Sequence, residues 1–336
     1  MMSKAECPYF GACGGCSYQD RPYAEQLEIK RKQVAEALSI FGCSEIRPTI
    51  SSPKPFYYRH MIAMTVQRRH NELVLGFVGQ NHRDFIPIEF CAIADERLNQ
   101  YLPKGLERLC ALPPEKKFHT SQIVLRAGDE GEVVTSLKED SKKTLECSIQ
   151  GKQFSYRMSS FFQHNVSILG ALIEAVRSLL RLDREAVLFD LYCGVGIFGI
   201  SLANDFAQVF GLEEGYEAIQ QANANAKRNS ISNIYFEEGK VEDKLHDILA
   251  TKQLDPDGLL QMVIDPPRVG LKPEVIKALN AEALRIERLV YVSCELSALA
   301  RDLKLLTEKF KIEAVQPIDL FPQTKHIETI VSLAAR

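Results

Sequence analysis

The sequence predicts an α/β fold joined to a smaller β-rich part, and a change of pattern near residue 160 indicates this division. Beyond that point one helix face is made by Leu169, Leu172, Ile173, Val176 and Leu180. After it, apolar runs alternate with helical segments, as in a parallel sheet covered by helices. Before it, the apolar runs are short and β-prone. We therefore expect two domains, residues 1–160 and residues 161–336.

The first half predicts one helix and then a set of antiparallel strands. Apolar residues at helical spacing predict an amphipathic helix over residues 22–40, which ends near Gly42 and packs toward the second domain. β-Prone runs separated by turn residues predict an antiparallel meander and its extension, with strands near 61–66, 72–78, 84–88, 122–126 and 132–137.

The second half predicts the strands of an open sheet at 186–191, 208–212, 233–236, 260–264, 289–293 and 329–333. A polar or reactive residue appears where each of the first five strands ends. Ligands of such sheets bind beyond the carboxyl ends of the strands. The final strand of sheets of this type usually runs antiparallel, so its beginning should lie on the same edge.

Composition and charge restrict the class of protein. No apolar stretch in the 336 residues reaches the ~18 uninterrupted residues of a membrane span. The polar amino terminus and nine cysteines predict a cytoplasmic protein in which cysteines bind metal or catalyse. The net charge of −3 does not suggest nucleic acid, so an enzyme of small metabolites stays open. Arg59, Arg68 and Arg69 belong to small basic clusters typical of a solvated face.

A glycine-rich loop follows the first strand of the second half. The run from Gly194 to Gly199 fits GxGxxG, and Glu213 lies where a ribose-binding acid is expected. Asp190 would repel a pyrophosphate but attract the cationic groups of S-adenosylmethionine, so we expect that methyl donor. The alternative is a tight strand-to-helix turn without a ligand.

Three further positions suggest chemistry on the same edge. Asp265 begins a stiff Asp-Pro-Pro-Arg loop, Cys294 ends a strand, and Glu328 begins the last one. A thiolate that adds to C6 of uracil makes C5 nucleophilic, and a base must then remove the C5 proton. The plain alternatives are a proline-stiffened turn, a buried small thiol and a surface glutamate.

Four cysteines form a separate group of soft ligands, namely Cys7, Cys13, Cys16 and Cys91. Glycines between them let the backbone bend around a metal centre, and four thiolates suit zinc or an iron–sulfur cluster. The remaining thiols have no paired spacing and are predicted to be core or loop residues: Cys43, Cys110, Cys147 and Cys193.

This ordered set of motifs resembles the RNA (uracil-5)-methyltransferase family, in particular its iron–sulfur branch that makes 5-methyluridine in 23S ribosomal RNA. The resemblance covers nearly the whole chain and also includes the runs 90–93, 162–165 and 321–324. It implies a Rossmann-like methyltransferase domain and a β-rich RNA-binding domain. It implies that Cys294 is the nucleophile, Glu328 the base that takes the C5 proton, and Asp265 a polar contact near donor and uracil.

The resemblance also implies the ligand-binding residues. Gln163, Tyr192, Gly194, Glu213 and Asp265 would bind S-adenosylmethionine. A [4Fe-4S] cluster would be held by Cys7, Cys13, Cys16 and Cys91. The chain reaches Cys7 without an N-terminal TRAM barrel, which favours the ribosomal branch.

Two departures from the family pattern concern single residues. Ile197 replaces an Asn in the donor loop. Glu295 replaces an Asn after the nucleophile and is expected to raise the pKa of Cys294.

The expected partner is RNA, most of all 23S ribosomal RNA, with Arg59, Arg68 and Arg69 as phosphate contacts. We expect a monomer that binds no membrane. Transfer RNA remains an alternative substrate. An exocyclic-amine methyltransferase that uses the Asp-Pro-Pro loop, and a metal-bearing RNA-binding protein without catalysis, are the competing functions.

Overall fold

The computed structural model describes residues 5–42, 46–70, 72–111, 120–129, 131–250 and 260–336. In these ranges no helix is long and apolar enough to span a membrane. The expectation for Cys43 lies outside the described residues. Cys147 and Cys193 are buried and Cys110 is exposed.

The first half contains one helix before the sheet, a five-stranded antiparallel sheet and one helix against it. The helices are α1 (Tyr23–Ala37) and α2 (Glu96–Cys110). The strands are β1 (Met61–Arg69), β2 (Glu72–Val78), β3 (Phe85–Pro87), β4 (Thr120–Ala127) and β5 (Val133–Thr135), in the order β3-β2-β1-β4-β5. Apolar residues of the sheet and α2 form one core.

A two-stranded hairpin and a seven-stranded sheet follow. The hairpin is β6 (Thr144–Ile149) and β7 (Lys152–Arg157). The large sheet contains β8 (Asp183–Leu191), β9 (Phe206–Glu213), β10 (Ile234–Glu238), β11 (Leu260–Ile264), β12 (Ile286–Ser293), β13 (Phe310–Ile318) and β14 (Glu328–Ala335). Its order is β10-β9-β8-β11-β12-β14-β13. The strand β14 pairs antiparallel with β12, which confirms the expected reversal of the last strand.

Helices cover both faces of the large sheet and give it two apolar cores. They are α3 (Leu169–Leu179), α4 (Ile197–Leu202), α5 (Tyr216–Arg228), α6 (Val241–Ala250), α7 (Pro273–Ala281) and α8 (Leu296–Leu306). The chain order reverses at β8, with β9 on one side and β11 on the other. This reversal opens a crevice at the carboxyl ends of β8 and β11, where open α/β sheets bind their ligands.

The two halves of the chain are joined by several contacts. α1 packs against α8 and β13 of the large sheet. The hairpin packs on α5, where the buried Asn225 side chain bonds to the backbone and hydroxyl of Ser155. The predicted strands of the first half correspond to β1–β5, and those of the second half to six of the seven strands. The hairpin, β13 and α2 were not expected from the sequence.

Candidate functional site

Five strand termini bring the predicted catalytic and donor-binding residues to one edge of the large sheet, which we call the catalytic edge. It consists of the carboxyl ends of β8, β9, β11 and β12 and the amino end of β14. The Asp265 N–H donates to the Leu191 carbonyl at 3.3 Å, so the Asp-Pro-Pro loop lies directly beside the end of β8.

The nucleophile candidate and the base candidate are placed by strand pairing. Ser293 of β12 pairs with Thr329 of β14 in the antiparallel ladder. Cys294 and Glu328 are the next residues beyond this pair, on neighbouring strands. Glu328 is buried, whereas Cys294 is half-buried. The predicted thiol and carboxyl are therefore neighbours, with the thiol open to an incoming base.

Burial and the neighbouring charges disfavour ionisation of Cys294, Asp265 and Glu328. Burial first, and then the carboxyls of Glu328 and Asp265, raise the pKa of the Cys294 thiol to about 11. Arg268 opposes both through its charge and a hydrogen bond to the thiol. Burial also raises the pKa of Asp265 to about 7. Burial first, and then Asp265, raise the pKa of Glu328 well above its ordinary value, while Arg268 lowers it.

Two further charged residues belong to this site. The Glu295 carboxylate caps α8 by accepting from the Ser297 N–H at 3.4 Å and the Ser297 hydroxyl at 2.8 Å, as carboxylates at helix N-termini do, and its effect on the pKa of Cys294 stays a prediction. Arg268, to which the sequence analysis assigned no role, is the cation beside the thiol. The Pro-Pro-Arg run was the available signal for it.

The glycine loop has the geometry of a ligand cradle. Gly194 has φ +55°, and a Cβ built on it would meet no atom within 4 Å. Glu213 accepts from the Gly194 N–H at 3.2 Å and the Gly215 N–H at 2.8 Å, which fixes the loop around its carboxylate. Tyr192 has φ +62° and packs against one core of the sheet. Positive φ at a non-glycine residue stores strain, which is typical of functional loops.

Asp190 is buried at the end of β8. One of its oxygens accepts from the Gly199 N–H at 2.7 Å, and the other has no hydrogen-bond partner in the described part of the chain. Burial, then the carboxyls of Asp265 and Glu213, raise its pKa to about 7 against the opposing Gly199 bond. An unsatisfied buried oxygen is costly and fits a missing donor or cation nearby.

Gln163, a predicted donor-binding residue, lies in the segment between β7 and α3. It is half-buried and follows Phe162, whose ring stacks on Tyr156 with centroids 3.9 Å apart. The adjacent His164 carbonyl accepts from the His60 N–H at 3.2 Å, so this segment is tied to the β-rich half.

The four N-terminal and loop cysteines line one cavity of about 340 Å³, which we call the cysteine cavity. Burial raises the pKa of Cys13 and of Cys91, and it raises the pKa of Cys16 to about 12. Among the described residues, no group of three or more His, Cys, Asp or Glu side chains is arranged to hold a metal ion. The cavity therefore gathers thiols whose raised pKa values favour the protonated form.

Arg59 lines the cysteine cavity with its Nε buried and unpaired in the described structure. The residue is half-buried, and its contact with RNA phosphates stays a prediction. Arg69 lies over the Phe85 ring, 4.9 Å from guanidinium carbon to ring centroid, at the end of β1. For Arg68 and Arg69 phosphate contact stays a prediction.

Comparison with known proteins gives the family. Residues 115–336 match the model of the tRNA (uracil-5-)-methyltransferase family. An uncharacterized RNA methyltransferase of Listeria monocytogenes is 31% identical, over 98% of this chain and 83% of that protein. The tRNA (uracil(54)-C(5))-methyltransferase of Schizosaccharomyces pombe is also 31% identical, over 98% of this chain and 65% of that protein.

Among solved structures, the fold is similar to that of Pyrococcus abyssi tRNA (uracil-54, C5)-methyltransferase in complex with S-adenosyl-L-homocysteine. The TM-score is 0.71 with 24% sequence identity, covering 95% of this chain and 86% of that one. At this identity the similarity supports the fold.

Proposed function

The chain belongs to the tRNA (uracil-5-)-methyltransferase family and is an RNA uracil-C5 methyltransferase, and from that premise we propose how its residues carry out the reaction. Cys294 acts as the nucleophile toward C6 of the target uridine and Glu328 as the base toward its C5 proton. The pairing of Ser293 with Thr329, which makes Cys294 and Glu328 neighbours, is the observation that carries this proposal.

The chemical steps follow from the charges at the catalytic edge. The uridine must be unstacked so that its C6 face is open to the thiolate. Arg268 lowers the pKa of Cys294, so the thiol can release its proton to solvent and add to C6 as the thiolate, which makes C5 nucleophilic. S-adenosylmethionine, when bound, supplies an electrophilic methyl group. The ionised form of Glu328, whose raised pKa makes it a strong base, then takes the C5 proton, and Cys294 leaves as a thiolate while the C5–C6 double bond reforms.

Donor binding is assigned to the glycine cradle and its surroundings. Gly194 leaves open space beside the loop and Glu213 holds the loop. The family resemblance adds Tyr192, Gln163 and Asp265 as donor-binding residues. The unpaired oxygen of Asp190 suits the cationic groups of the donor, which is the physical support for S-adenosylmethionine at this position.

Asp265 has a second role in the proposal as a polar contact to the uracil. Its pKa near 7 leaves it partly protonated at neutral pH, so it can either donate to or accept from an edge of the base. Its position between the end of β8 and Cys294 puts it within the same crevice as both reactants.

The cysteine cavity is assigned to a [4Fe-4S] cluster held by Cys7, Cys13, Cys16 and Cys91. Four thiols of the soft-ligand type line one cavity, which supports a shared metal centre there. In a [4Fe-4S] cluster four cysteine thiolates hold the irons, as the family resemblance implies for these four residues. The cluster would replace the protons of these neutral thiols and bind their loops together.

We propose 23S ribosomal RNA as the substrate and transfer RNA as the second candidate. Transfer RNA is kept as the alternative substrate because the Schizosaccharomyces pombe relative and the Pyrococcus abyssi protein are both tRNA uracil-54 C5-methyltransferases. The test is to incubate purified protein and S-adenosylmethionine with each RNA lacking the modification, and to map 5-methyluridine. Methylation of 23S rRNA at one uridine is expected; methylation of tRNA alone would reverse the assignment, and methyl groups on exocyclic amines would refute uracil-C5 chemistry.

A further inference from the structure

The loop that leads into Glu328 is held by residues of the amino-terminal half. This loop joins the end of β13 at Ile318 to the start of β14 at Glu328, and we call residues 319–327 the base loop. Several of its backbone and side-chain groups bond to α1 or to the segment just after Cys16. Such tethering lets distant residues set the position of the base.

Gln323 is the centre of these contacts. Its N–H donates to the Gln26 Oε1 at 3.0 Å, and Gln26 returns a bond from its Nε2 to the Gln323 Oε1 at 2.9 Å. The Gln323 carbonyl accepts from the N–H groups of Ser17 at 2.8 Å and Tyr18 at 3.0 Å. Both glutamines are buried, and a buried amide that loses its partner costs more than the bond itself contributes.

The backbone of Gln323 is strained. Its φ is +67°, a left-handed conformation that costs a non-glycine residue about 1–3 kcal/mol and persists only where the surroundings enforce it. The reciprocal bonds with Gln26 hold this conformation together with the bonds from Ser17 and Tyr18 to its carbonyl and a bond from its Nε2 to the Pro55 carbonyl at 3.3 Å. Strain of this kind in a loop that precedes a catalytic candidate indicates that the loop's shape matters for the reaction.

A second tether fixes the start of the base loop. The Lys30 ammonium, buried in α1, donates to the Asp319 carboxylate at 2.6 Å and to the Phe321 carbonyl at 3.0 Å. The Asp319 carboxylate also accepts from the Phe321 N–H at 3.1 Å. Both charged side chains are fully buried, so this pair anchors the loop to α1.

From these contacts we infer that Gln323 is a positioning residue for Glu328, held in place by Gln26, so that α1 sets the geometry of C5 proton removal. This inference rests on the proposed roles of Cys294 and Glu328. Loss of the Gln26 tether releases Gln323 from its strained conformation. The base loop then shifts, and Glu328 is displaced from the C5 proton while Cys294 on β12 and the glycine cradle keep their places.

The test compares Gln26→Leu with Gln33→Leu. Gln33 lies on the same helix, but its side chain donates to the Tyr18 hydroxyl at 3.1 Å rather than to a group of the base loop. It therefore serves as the matched control. Because Gln26→Leu could weaken folding, Gln323→Asn is a second variant: it tolerates the left-handed conformation but is too short to complete the reciprocal pair.

Single-turnover reactions use RNA whose target uridine carries hydrogen or deuterium at C5. In Gln26→Leu and Gln323→Asn, release of methylated RNA should slow about tenfold. Methyl transfer should stay near the wild-type rate, a methylated protein–RNA adduct should accumulate, and the deuterium isotope effect on release should increase. Gln33→Leu should match wild type in all three.

Two results would overturn the positioning role. The first is an equal loss of methyl transfer and of product release, with no adduct and no isotope effect, which is what a purely structural defect produces. The second is wild-type kinetics in both Gln26→Leu and Gln323→Asn. A wild-type protein that never forms an adduct with RNA would instead refute the proposed function, so the two failures are distinct.

Discussion

The catalytic edge and the cysteine cavity both bury thiols, but they surround them differently. At the catalytic edge one thiol, Cys294, stands with two carboxyls and Arg268 brought in from three separate strand ends. In the cysteine cavity four thiols stand together, and the charged side chain on its wall is Arg59. Burial raises the pKa of Cys294, Cys13, Cys16 and Cys91 alike.

This difference shows that the groups around a buried thiol determine which chemistry the thiol can perform. A thiol beside a base and a cation can ionise transiently, attack a substrate and leave again. Thiols that have only one another as acidic groups need a metal to carry their negative charge once they ionise. In the proposed function, the catalytic edge is therefore equipped for turnover and the cysteine cavity for permanent ligation.

The largest expected effect is at the thiol of the catalytic edge. Cys294→Ala should abolish methylation while S-adenosylmethionine binding stays within severalfold, because the thiol acts on the uracil and not on the donor. Methyl incorporation and donor affinity by calorimetry measure the two. Cys110→Ala, at an exposed thiol, is the control. Methylation by Cys294→Ala would show that C6 addition is not the mechanism.

The carboxyl beside the thiol gives the next effect. Glu328→Gln should reduce turnover by about 10²- to 10⁴-fold and stop the reaction after methyl transfer, because the C5 proton then lacks an acceptor. A methylated protein–RNA adduct should appear on a denaturing gel and disappear when Cys294 is also replaced. Normal turnover would mean that another group removes the proton.

The cysteine cavity is tested by its metal. Anaerobically purified protein should contain about four irons per chain and be brown, and Cys91→Ser should lose most of that iron. Cys147→Ser, at a buried thiol outside the cavity, should retain it. Iron analysis and absorbance spectra decide the point. One zinc per chain without iron would leave the four-cysteine cage intact and refute the cluster.

The smallest effect concerns the cation at the catalytic edge. Arg268 lowers the pKa of Cys294, so Arg268→Gln should raise that pKa and slow alkylation of Cys294 by iodoacetamide severalfold at pH 8. The two rates should converge at pH values above the thiol pKa, where both proteins carry the thiolate. Peptide mass spectrometry follows the site. Arg288→Gln is the control, because the Arg288 guanidinium is paired with Glu313 at 3.7 Å. Equal slowing of alkylation in both variants would show that Arg268 has no specific effect on the thiol.

Sequence reasoning reached the catalytic edge because strand ends are visible as apolar runs followed by reactive residues. The positions of Asp265 and Cys294 after β11 and β12 follow from that pattern, and Glu328 follows from the reversal of the last strand. Sequence reasoning missed β13, because the polar residues and the proline of this strand interrupt its apolar run. It also missed the hairpin of β6 and β7, where polar and apolar residues mix.

Other features depend on contacts that no local pattern reveals. Gln26 and Gln323 are 297 positions apart, and each looks like an ordinary polar residue of a helix or loop. Glu295 caps α8 through Ser297, a contact that its position after Cys294 does not reveal. Arg59 lines the cysteine cavity, a position that the basic run around it does not reveal.

The central claim is that Cys294 bonds covalently to a uracil during methylation. RNA that carries 5-fluorouridine at the target position replaces the C5 proton with a fluorine that Glu328 cannot remove, so the reaction should stop as a methylated adduct. Digestion and mass spectrometry of the denatured complex should then locate the nucleotide on the peptide that contains Cys294. Methylated product without any adduct, or a nucleotide bound at another cysteine, would contradict the account.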